Sequence, residues 1–94
     1  MNNNFEDLFS HKAIRRGRTD LYHYYEAKQL VECCEKNNVS VLGIDAFLLS
    51  DKCTRPVIEH SIDLSDKEES KRNALAFEFL ESKKNLDLFF EIVY

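Results

Sequence analysis

Apolar positions change their period several times along the chain, and each change predicts an element. Phe5, Leu8, Phe9 and Ala13 share one helical face and predict a short helix over 4–16, which Gly17 ends. In "DLYHYYEAKQLVECCEKNN", Leu21, Tyr24, Ala27, Val31 and Cys34 recur as one stripe with Leu30 beside it. That stripe predicts a second helix, N-capped by Thr19 or Asp20. Lys36 suits its negative end, and Asn37 or Asn38 is able to take the left-handed conformation that closes a helix. Of the clustered tyrosines, Tyr24 is expected in the core, and Tyr22 and Tyr25 in surface packing or an interface.

From Val39 to Leu49 the period becomes two. Leu42, Ile44, Ala46 and Leu48 fall on one face, and Val41, Gly43, Asp45, Phe47 and Leu49 on the other. With both faces largely apolar, this segment is expected to be the central strand. Asp45 sits in it as an acid in need of a partner, expected to be a backbone group or a base, because an unpaired buried carboxylate is costly. Pro56 then opens a second strand, Val57 to Leu64, with Ile58, His60, Ile62 and Leu64 on one face. "SDKE" at 65–68 has the form of a capping box, Ser65 to Glu68, and starts a helix that runs to about Lys83. Leu75, Ala76, Phe79 and Leu80 are its inward positions. "NLDLFFEIVY" closes the chain as a strand burying Leu86, Leu88, Phe90, Ile92 and Tyr94.

The predicted chain order is therefore α-α-β-β-α-β in a single domain over 1–94. The crossover rule favours an α+β, two-layer arrangement: a three-stranded antiparallel sheet in order 2-1-3, packed by helices. Low Gly and Pro counts argue against an all-β or disordered chain.

Charge adds a direction to this outline. The net charge is −4, and residues 38–70 carry seven acids against three bases, whereas 11–18 carry four bases and no acid. A basic stretch this short disfavours direct nucleic-acid binding and reads as a solvated loop. No apolar run reaches the roughly 18 residues of a membrane span, and "MNNNFEDLF" lacks the order of a signal peptide. The expected compartment is the cytoplasm. Cys33, Cys34 and Cys53 are an odd set without framework spacing, so one of the vicinal pair is expected inward and the other nearer the surface. No ligand spacing for a metal and no phosphate loop occurs, so neither metal nor cofactor is expected. Candidate chemistry reduces to a thiol (Cys33 or Cys34 with His23 or His60) or a cross-strand carboxylate pair, Asp45 and Glu59.

The stretch "EAKQLVECCEKNNVSVLGIDAFLLSDKCTRPVIEHSID" resembles the bacterial polymorphic-toxin immunity proteins of the immunity protein 40 family. Ala27, Leu30 and Val31 correspond to the family's helix, Val39, Val41, Leu42, Gly43 and Asp45 to its strand, and Pro56 to the restart after the linker. The likeness covers about the middle 40 residues, and Gly43 and Asp45 are the motif residues it carries over. It implies an inhibitor, not an enzyme, that binds and neutralises a cognate toxin C-terminal domain, with nucleases among such toxins. An acidic surface complements a basic groove and speeds association. Asp45, Asp51, Glu59, Asp63 and Asp66 are the expected partner-binding acids. The alternative is a small enzyme or ligand-binding protein with a carboxylate or thiol pocket.

Overall fold

Residues 13–94 are described by a computed structural model of the chain. Gly17 turns the chain instead of ending a helix. β1 (Ile14–Arg16) and β2 (Thr19–Leu21) pair antiparallel, with Arg16 opposite Thr19, so that Gly17 and Arg18 form a two-residue turn. Gly17 has φ +63° and Arg18 stays out of the positive region, the pattern of a type II′ hairpin turn. The helix expected over 4–16 is thus a strand from Ile14 to Arg16, and its residues 4–12 lie outside the described ones.

The hairpin also removes the expected caps. Asp20 lies in β2 and meets Arg15 at 3.1 Å, while helix α1 (Tyr24–Lys36) begins after His23, which makes no side-chain cap. Its C-terminus closes as the asparagines suggested. Asn38 takes φ +59°, its N–H donates to the Glu35 carbonyl, and the Val39 N–H reaches the Cys34 carbonyl at 2.8 Å. This is the paired bonding of a Schellman motif. Ala27, Leu30, Val31 and Cys34 are buried on its inner face, and Cys33 lies half-buried beside it.

β3 (Gly43–Leu49) is the strand around which the main sheet is built. β6 (Phe89–Val93) lies antiparallel along one edge, from Gly43–Val93 to Phe47–Phe89. The other edge is shared by β4 (Thr54–Pro56) and the two-residue β5 (Ile62–Asp63), both antiparallel to β3. Between them the chain makes a 3-10 turn, Ile58–His60. Ser61 closes this knuckle: its hydroxyl accepts from the Ala46 N–H and donates to the Val57 carbonyl, each at 2.9 Å. The expected continuous strand 57–64 is therefore broken, and Ile58, expected on one face with Ile62 and Leu64, is 82% exposed.

α2 (Glu69–Ser82) packs beside α1 on one face of this sheet, and Ala76 and Leu80 join Ile44, Ala46, Leu64, Phe90 and Ile92 in a single core cluster. The capping box does not form. Ser65 gives both its N–H and its hydroxyl to Asp63 Oδ1, at 2.9 and 2.7 Å. Arg72 instead ties the approach to the helix, donating to the carbonyls of Leu64, Ser65 and Lys67.

The α+β class holds, but the three-stranded sheet in chain order α-α-β-β-α-β does not. Among the described residues there are two helices and two sheets, one of two strands and one of four. Among the described residues their backbones pair at one point, where Tyr22 and Phe90 exchange hydrogen bonds at 2.8 Å each way. Tyr22 is 5% exposed and belongs to the core cluster, contrary to its expected surface role. At the other end of the range, Leu86 and Tyr94 stay partly exposed where burial was expected, because β6 covers only 89–93.

Candidate functional site

Strand alternation divides β3 into two sets of side chains. Ile44 and Ala46 are buried under the helices, so Gly43, Asp45, Phe47 and Leu49 point to the opposite face. Register then fills that face in rows. Asp63, Gly43 and Val93 form one, Asp45 and Glu91 the next, and Pro56, Phe47 and Phe89 the third. A pair of acids thus stands beside a pair of aromatics, on a face that neither α1 nor α2 covers.

Gly43 has a clear structural reason. A Cβ at this position would lie 3.0 Å from the Ile62 carbonyl oxygen, a backbone atom that would have to give way. The glycine lets β5 approach the central strand.

Asp45 behaves differently from the expectation. It is exposed, and among the described residues it has neither the backbone nor the basic partner anticipated for it. Directly across the ladder is another acid, Glu91. Partial burial pushes the Glu91 carboxyl above the usual glutamate range, and the neighbouring charges of Asp45 and then Asp20 add to the shift. Glu91 also lines a notch of about 330 Å³ at the outer edge of β6, together with Arg18, Asp20, Tyr22 and Tyr94. Asp20 is paired with Arg15.

The five predicted acids do not form one patch. Asp63 joins Asp45 on the face opposite the helices, with one carboxylate oxygen held by Ser65, whose bonds lower its pKa. Asp51 is exposed in the β3–β4 turn and Asp66 in the turn before α2. Glu59 lies in the 3-10 turn and faces an apolar groove with Leu48, Val57, His60, Leu86 and Asp87. Leu48 belongs to the helix-side set of β3, so the proposed Asp45–Glu59 carboxylate pair is split between the two sides of the sheet. Glu91 was missed by reading the sequence alone. The available signal was a lone acid within "FFEIV", whose meaning depends on register.

The thiol alternative gains no support from geometry. Cys34 is buried, Cys33 half-buried and Cys53 exposed in the β3–β4 turn. His23 packs its ring on Phe89 at 4.4 Å, and His60 Nδ1 lies 3.1 Å from Lys83 Nζ. Among the described residues no three His, Cys, Asp or Glu side chains converge to hold a metal ion. No helix among them is long and apolar enough to cross a membrane.

Two further polar clusters hold the helix layer together. Glu81 accepts from Tyr24 Oη at 2.6 Å, Lys28 Nζ at 3.3 Å and Lys84 Nζ at 3.0 Å. These bonds, with that of Tyr24 the largest, lower the Glu81 pKa to about 2. Asn73 is buried, with its Oδ1 accepting from the Val41 N–H and its Nδ2 donating to Glu35 and to the Val39 carbonyl. Tyr25, beside Tyr24, is 74% exposed.

Compared with known protein families, with curated proteins and with solved structures, the chain matches none.

Proposed function

We propose that this chain is a cytoplasmic immunity-type protein that binds a cognate bacterial toxin domain and neutralises it by stoichiometric protein–protein inhibition. The observation that carries the reading is the apposition of exposed Asp45 and half-buried Glu91 across the β3–β6 ladder, on the face opposite the helices. Like charges directly opposite in a ladder destabilise the sheet. Among the described residues no ion pair relieves them, so a basic partner surface would gain attraction and also remove an internal repulsion. The resemblance of residues 26–63 to immunity proteins agrees with this, as does the net charge of −4. An acidic inhibitor surface steers association with a basic groove and raises the on-rate.

The test is genetic and then physical. The C-terminal domain encoded immediately upstream is expressed with and without this chain. Survival only in its presence, with a 1:1 complex on size-exclusion chromatography, is the expected result. Toxicity that the chain does not relieve, or the absence of a complex, overturns the reading.

A further inference from the structure

The face opposite the helices has more detail than its charge. On β3 and β6, adjacent rows on one face are two residues apart, about 7 Å. The Asp45–Glu91 row therefore lies one step from the Phe47–Phe89 row on the same side of the sheet. Carboxylates supply acceptors, and aromatic faces attract a cation laid against them. A guanidinium suits both: it is planar, weakly hydrated, able to bond two carboxylates and able to stack on a ring.

From this we infer that the face is a docking surface for an arginine-bearing segment of the partner, with one arginine side chain seated between Asp45 and Glu91 and lying against Phe47 or Phe89. The inference rests on the proposed toxin-binding role for the identity of the partner, but not for the chemistry of the seat.

Charge complementarity supports this occupant. Asp45, Glu91 and Asp63 line the face, and Asp20 adds its field to Glu91. Of the nearby bases, Arg15 is held by Asp20, and Arg18 lines the notch beside Glu91 without forming an ion pair among the described residues. Among the described residues no third metal-ligating side chain joins this pair, whereas a guanidinium needs only the two carboxylates. His23 supports the aromatic row from the side, against the Phe89 ring.

The experiment uses the whole chain, 15N-labelled, titrated with a hexapeptide carrying two arginines and with the same peptide carrying citrulline instead. Amide shifts centred on Asp45, Phe47, Phe89 and Glu91 with the arginine peptide alone are expected. The near-isosteric double variant Asp45→Asn/Glu91→Gln, checked for a dispersed native spectrum, should lose those shifts. It should also lose roughly tenfold or more in affinity for the toxin domain. Glu32→Gln/Glu78→Gln, at two exposed acids of the helix layer, should leave both unchanged. Equal response to the citrulline peptide, or shifts spread over Asp51, Glu59 and Asp66, overturns the seat. If the chain protects cells but the Asp45/Glu91 variant binds the toxin domain as well as the parent, the seat falls and the toxin-binding reading stands. If the peptide binds as described and protection fails, the toxin-binding reading falls alone.

Discussion

Asp45 and Glu91 face each other across the β3–β6 ladder, and among the described residues neither is ion-paired. One consequence concerns stability. Glu91→Gln removes the repulsion while keeping shape, and should stabilise the chain by about 0.2–1 kcal/mol at neutral pH in urea unfolding. The gain should shrink in high salt, which screens exposed charges. No gain at low salt would show that the two carboxylates do not repel.

The same pair predicts a pH slope. Glu91 is raised in the folded state, so the native chain holds its proton at pH values where the unfolded chain has lost it. Between the ordinary glutamate value and the raised one, stability therefore falls as pH rises. Glu91→Gln should remove that component from a series of urea midpoints taken through the weakly acidic range.

Gly43→Ala sets a methyl 3.0 Å from a backbone oxygen. The expected outcome is a loss of about 1–3 kcal/mol, the usual scale of overpacking. Chemical shifts should move at Ile62 and Asp63, where β5 is pressed away. A neutral substitution would mean that this edge yields freely.

Asn73→Ala leaves the Val41 N–H without its acceptor in a buried position. A loss of about 1–3 kcal/mol is expected in thermal or urea unfolding. Amide exchange at Val41 should accelerate more than exchange in the middle of β3.

Glu81 provides a test with a direct readout. Its carboxyl should titrate near 2 by carbon NMR, and Tyr24→Phe should bring it back toward the ordinary value, because the phenol bond is the largest cause. The stability it contributes is present above the ordinary glutamate pKa and is lost as pH falls toward 2.

What could be read from the residues follows the range of the forces involved. Of the predicted stripe, Ala27, Leu30, Val31 and Cys34 are buried in the helix while Leu21 falls in β2 and Tyr24 is half-buried; this, the alternation around Ile44 and Ala46 and the left-handed Asn38 are local patterns. The hairpin at 14–21 was misread because three-residue strands rich in Arg, Thr and Asp are too short to show a period. The 57–64 segment was misread because Ser61 bonds to Ala46, fifteen residues away. Asn73 was missed for the same reason, since its partner Val41 lies 32 positions distant. Of the predicted acids, Asp45 and Asp63 share a face, but their companion Glu91 is identified only by register.

Among the described residues, the hairpin shares one pair of backbone hydrogen bonds with the main sheet, at Tyr22 and Phe90, and buries Leu21 completely beside it. With so few backbone bonds crossing to β6, the hairpin is expected to open as its own unit before the ladder between β3 and β6, at the cost of exposing Leu21. In native-state hydrogen exchange its amides should open at a lower free energy than those of β3. The Tyr22 and Phe90 amides should exchange together, because each loses its acceptor in the same event.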